Sequence, residues 1–90
     1  MKRLIRAAEE YSDVQFRIYE LDENGEELDC IDDADKKSEA ISKARKYAAD
    51  PDIAGVHVVI SPLNSDMDRE EEELFYEKYG YDPYEVVWEA

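Results

Sequence analysis

Apolar and polar positions along the chain follow two periods. Residues 2–11, KRLIRAAEEY, place Leu4, Ile5, Ala8 and Tyr11 at helical spacing, although basic residues at the start and acidic ones at the end oppose the helix dipole. Residues 14–21, VQFRIYEL, are rich in β-branched and aromatic side chains and read as a strand. Asn24-Gly25 then supplies the two positive-φ positions of a type I′ hairpin turn. A turn centred there pairs Glu23 with Glu26, Leu21 with Leu28, Tyr19 with Cys30 and Ile18 with Ile31, so both faces of the ribbon carry apolar pairs.

Farther on, Ala40, Ile41, Ala44, Tyr47 and Ala48 form one stripe of a helix that Pro51 ends. The acids Asp32, Asp33 and Asp35 suit its N-terminus, and Lys43, Arg45 and Lys46 its C-terminus. Residues 54–61, AGVHVVIS, read as a central strand, and Ser61-Pro62 with the LNSD that follows as a loop. Asp68 and Glu71 resemble a capping box opening a helix through Met67, Leu74, Phe75 and Lys78 to Gly80. Residues 84–88, YEVVW, alternate as a last strand. The order helix, hairpin, helix, strand, helix, strand predicts an α+β fold. The expected architecture is a small two-layer sandwich of a four-stranded, largely antiparallel sheet with two or three helices.

Ninety residues, 43% of them hydrophobic and 11% aromatic, suffice for one small core, so residues 1–90 are expected to form a single acidic domain. The lone cysteine forms no internal disulfide, and no signal-peptide core or run of about 18 apolar residues occurs. These features lead us to expect a soluble, cytoplasmic protein that binds no membrane.

Charge changes the picture most. The net charge is -14, and residues 20–35 hold nine acidic and no basic side chains. Residues 36–46 then hold five basic and one acidic, and residues 47–90 two basic and twelve acidic. Like charges about 7 Å apart in water repel by roughly 0.6 kcal/mol, so this surface costs stability well beyond the charge of about 2 to 8 that solubility requires. Direct nucleic-acid binding is disfavoured and a cationic partner is expected.

Catalytic and metal chemistry find little support. In LDENGEELDCID the twelfth position of a calcium loop falls on Ile31, where a bidentate Glu is needed, and strands flank the turn. His57 is the single histidine and lies in a β-branched run, where a structural role is the plainer account. Cys30 and His57 form a thiolate pair only if their strands are neighbours. Gly25, Gly55 and Gly80 are too scattered to cradle a phosphate. The reading is of a protein that is not an enzyme and uses no cofactor or metal.

Two features remain. Glu70, Glu73 and Glu77 fall on one helical face with neighbours about 5 to 6 Å apart. Alternate strand residues such as Glu27 and Asp29 lie about 6.6 to 6.8 Å apart. Both spacings approximate phosphates along a nucleic-acid strand, and Asp22, Glu23, Glu26 and Glu27 crowd the hairpin tip. Either row alone is most simply a solvated face; together, with the net charge, they suggest mimicry. The second feature is the density of Phe75, Tyr76, Tyr79, Tyr81, Tyr84 and Trp88 among acids. Phe75, Tyr79 and Trp88 are assigned to the core, and Tyr76, Tyr81 and Tyr84 to a surface that meets a partner's arginines by cation–π contact.

Small size, acidity, the Asn24-Gly25 hairpin and the Glu70–Glu73 helix resemble, as a class, the small inhibitors that phages deploy, the anti-CRISPR proteins and the DNA-mimicking anti-restriction proteins. That resemblance implies a non-catalytic inhibitor occupying the basic groove of a nucleic-acid-binding protein, such as a CRISPR effector, in the host bacterial cytoplasm. The expected contacts are Asp22, Glu23, Glu26, Glu27, Asp29, Glu70, Glu73, Tyr76, Glu77, Tyr81 and Tyr84. The competing reading is an acidic adaptor or immunity-type module without nucleic-acid logic, presenting chiefly the tyrosine-rich tail. A third, a hydrolase using Cys30 and His57, ranks last.

Overall fold

The computed structural model describes residues 14–63 and 67–90, so the helix expected over residues 2–11 lies outside the described residues. The elements are β1 (Val14–Leu21), β2 (Glu27–Ala34), α1 (Lys37–Ala48), β3 (Gly55–Pro62), α2 (Arg69–Tyr79) and β4 (Val86–Glu89). The four strands form one sheet in the order β2-β1-β3-β4, antiparallel at every pairing. The architecture is the expected α+β sandwich, with both described helices contributing to one core. Because β1 lies between β2 and β3, α1 serves as the crossover that carries the chain over β1.

The centre of the sheet is an unbroken ladder from Val14 opposite Pro62 to Leu21 opposite Gly55. Strand alternation puts Phe16 and Ile18 of β1 on one face with Val56, Val58 and Ile60 of β3, all buried. Onto that face pack Ala40 and Ala44 of α1, both fully buried, and Phe75 of α2. Two alanines four residues apart let the α1 backbone lie close to the sheet, while Tyr47 packs at the cluster's margin. Ala48, the last of the expected stripe, is exposed.

The hairpin departs from the simple pairing. Gly25 has φ +82°, but Asn24 is not at positive φ, so the turn is not type I′. Instead the Gly25 N–H donates to Asp22 O (3.0 Å) and the Asp22 N–H to Glu26 O (2.9 Å). This is a three-residue loop in which a type I turn is closed by a left-handed glycine. Asp22 favours it, because its Oδ1 accepts the Asn24 and Glu26 N–H groups at 2.8 and 2.9 Å. The register therefore starts with Leu21 opposite Glu27, not Leu28. A bulge in β2 restores the expected Tyr19–Cys30 pair, and a second carries the register past it, so Ile18 faces Asp32, not Ile31. Leu28 is left exposed and Ile31 packs against the core. Bulges and acids together suit an edge strand that must not recruit another chain.

The helix ends follow different rules. At α1 the flanking position is Lys36 and no side chain caps the N-terminus, so none of Asp32, Asp33 and Asp35 is its capping residue. At α2 the Asp68 side chain accepts the Glu71 N–H (2.9 Å), and Gly80, at φ +78°, donates its N–H to Tyr76 O (2.7 Å). The Asp68 bond has no reciprocal from Glu71 Oε2, which is buried and unpartnered among the described residues. No helix among the described residues is long and apolar enough to cross a membrane.

Candidate functional site

The acidic residues singled out above lie on two elements, the hairpin tip and α2. The hairpin tip projects beyond the Leu21–Gly55 end of the sheet. The segment carrying α2 joins the sheet at Pro62, opposite Val14, and at Tyr84, whose N–H donates to Ile60 O (2.9 Å). Those junctions lie toward the other end of strands about 23 Å long. The hairpin tip and the junctions of α2 therefore fall toward opposite ends of the sheet.

At the tip, Glu23, Glu26 and Asp29 are exposed, whereas Asp22 is committed to the turn. Glu27 holds His57 across β1, Oε2 to Nε2 at 2.8 Å. His57 is only 12% exposed at its side chain, and Tyr19 meets it edge-on with centroids 6.0 Å apart. The bulge between the positions facing Tyr19 and Leu21 removes the regular alternation expected of Glu27 and Asp29.

On α2, Glu70, Glu73 and Glu77 are exposed on one helical face, as expected. Arg69, Glu72, Glu73, Tyr76, Glu77 and Asp82 line an open groove of about 400 Å³. Asp82 comes from beyond the helix; Gly80 turns the chain back, and Glu85 Oε2 accepts the Asp82 N–H (2.8 Å). Ion pairs of lysine or arginine among the described residues are confined to Lys43 with Asp32 and Glu39, beside the hydrogen bond between His57 and Glu27. The α2 carboxylates are therefore uncompensated by any described basic side chain at ion-pair distance.

The tyrosines divide differently from expectation. Tyr76 and Tyr84 are exposed at 53% and 52%. Tyr84 also occupies the left-handed region at φ +64°. Tyr81 packs against the core and is already engaged: Lys37 donates to its hydroxyl (2.6 Å) and stands 4.9 Å from its ring centroid. It is thus not a free surface tyrosine. Phe75 is buried, and Tyr79 and Trp88 pack against the core as assigned.

Cys30 and His57 do not meet. Their strands are separated by β1, about 9.6 Å across two strand spacings, and the Cys30 thiol instead donates to Asp32 O (3.4 Å). No group of three or more His, Cys, Asp or Glu side chains among the described residues is placed to hold a metal ion.

A polar cluster under α1 was not anticipated. The Tyr47 hydroxyl donates to Asp32 Oδ2 (3.1 Å), and Lys43 reaches Asp32 Oδ1 (3.6 Å) and Asp33 O (2.9 Å). The Asp33 N–H, then the Tyr47 hydroxyl and Lys43, hold the Asp32 carboxyl below the ordinary carboxylate range. The bond to Asp32 pushes the Tyr47 hydroxyl up. The i, i+4 spacing of Lys43 and Tyr47 was visible, but the bulge that turns Asp32 toward them was not.

Comparisons with protein-family models, with curated proteins and with solved structures find no match to this chain.

Proposed function

We propose that this protein is a non-catalytic inhibitor that binds the basic, nucleic-acid-binding groove of a partner protein, with the acids of α2 standing in for a phosphate backbone. The observation that supports this most is the α2 face. Glu70, Glu73 and Glu77 are exposed, without a described basic partner, on a helix capped at both ends. Helical neighbours three and four residues apart sit about 5 to 6 Å from one another, a spacing close to that of successive phosphates. Binding by such a row releases the counterions of both partners, so affinity falls steeply with salt. The tip acids Glu23, Glu26 and Asp29 form a second contact for a partner large enough to span both ends of the sheet. A CRISPR effector in a bacterial host cytoplasm is a partner of this kind.

The test is capture of partners from nuclease-treated bacterial lysate, followed by competition with double-stranded DNA. Captured protein should be displaced by DNA and by about 0.5 M NaCl, where screening extends over only about 4 Å. Capture should also be lost in the double variant Glu70→Lys, Glu73→Lys. Capture that survives both high salt and charge reversal rules out the electrostatic mechanism. The exposure of Tyr76 and Tyr84 favours one other reading: an acidic adaptor that neutralises a cationic partner without mimicking nucleic acid. In that case charge reversal abolishes capture but DNA does not compete.

A further inference from the structure

Three tyrosines close together in sequence meet cations in different ways. Lys78 Nζ stands 5.6 Å from the Tyr79 ring centroid and Lys37 Nζ 4.9 Å from that of Tyr81, so two rings carry a cation from the chain itself. Tyr76 carries none among the described residues, although its half-exposed ring lines the groove with four carboxylates. Glu72 and Glu73, four and three residues before it, lie on the same helical face, and Glu77 and Asp82 complete the walls. Carboxylates alone attract any cation. An aromatic face within their reach is what separates one cation from another, because a planar guanidinium stacks on a ring while donating two parallel hydrogen bonds to a carboxylate. An ammonium is a more strongly hydrated point charge and gains less from the same arrangement.

We propose that this groove receives an arginine side chain of the partner, with Tyr76 as its platform and Glu72, Glu73 and Asp82 as its acceptors. The inference rests on the reading of α2 as the partner-binding face and names the side chain that face selects. Arg69, the one basic residue lining the groove, lies seven positions from Tyr76, about 10.5 Å along the helix, and is in no described ion pair. It therefore opposes an incoming guanidinium.

Hexa-arginine and hexalysine peptides of equal charge, titrated into the full chain by calorimetry, test the assignment. Hexa-arginine should bind roughly five- to tenfold more tightly. Tyr76→Leu should bring the two peptides within about twofold, Tyr76→Phe should keep the preference, and Arg69→Gln should tighten hexa-arginine binding. Equal affinities in the native chain, a preference that survives Tyr76→Leu, or weaker binding in Arg69→Gln would overturn the arginine site while leaving the electrostatic reading intact. Binding of both peptides unchanged by Glu73→Lys would instead remove the reading on which it rests. Tyr76, Glu73 and Arg69 are exposed, and matched unfolding midpoints establish that each variant is folded.

Discussion

Phe75 decides whether the acidic face of α2 is rigid. It is the one buried residue of the helix, 1% exposed, with Tyr79 tilted against it at 4.7 Å between centroids. Met67, which also packs against the core, and Leu74 are only partly buried. Truncating the ring in Phe75→Ala removes about 150 to 200 Å² of buried area, which at about 25 cal/mol per Å² amounts to roughly 4 to 5 kcal/mol. Measured losses for buried Phe→Ala run about 3 to 5 kcal/mol, so the two routes agree. A chain of this length holds only about 5 to 13 kcal/mol in all, so the variant gives up about a quarter or more of its stability. Urea unfolding followed by Trp88, the single tryptophan and packed against the core, reads the loss. The midpoint should fall by roughly 2 to 3 M, whereas Phe75→Leu should lose about 1 kcal/mol. A loss below about 1 kcal/mol for Phe75→Ala would mean that α2 is not anchored through this ring and that its carboxylates are not held in a fixed row.

The hairpin and the polar cluster give two further tests. Nothing lies within 4 Å of a Cβ built on Gly25, so Gly25→Ala should cost only the backbone penalty of φ +82°, about 1 to 2 kcal/mol, and Gly25→Asn less. Equal unfolding midpoints for all three chains would contradict the left-handed turn. Asp32 has its pKa depressed on folding, so its contribution is complete above the unfolded value near 3.9 and is lost as pH falls through the folded one. Tyr47 has its pKa raised, so its contribution is complete below about pH 10 and is lost as pH rises through the folded value. Tyr47→Phe should therefore flatten the alkaline limb and narrow the acid one, where the Asp33 N–H still holds Asp32; parallel pH profiles of stability would show that the bond is not made.

Much of the candidate site was legible in the sequence because its signals are local. The Asp68 cap, the Gly80 stop and the carboxylates between them are written within one stretch of about thirteen residues, and the structure places Glu70, Glu73 and Glu77 on an exposed face accordingly. Tyr81 was not legible, because its neighbour is Lys37, 44 positions away. Nor was the committed state of Asp22 and Glu27: one closes its own turn, and the other reaches a histidine two strands over.

The distinction is one of range. Periodicity, caps and the central β-branched run are nearest-neighbour properties, and from them the sequence alone determined the α+β class, five of the described elements to within two residues, and the net charge of -14. Tertiary structure alone decided where that charge is displayed. With β3 inserted beside β1, the hairpin tip and the junctions of α2 fall toward opposite ends of the sheet. Two bulges in β2 then set which acids turn inward to α1 and which face solvent. Strand order and bulges arise from how side chains share one buried face, a competition among residues tens of positions apart that no local pattern records.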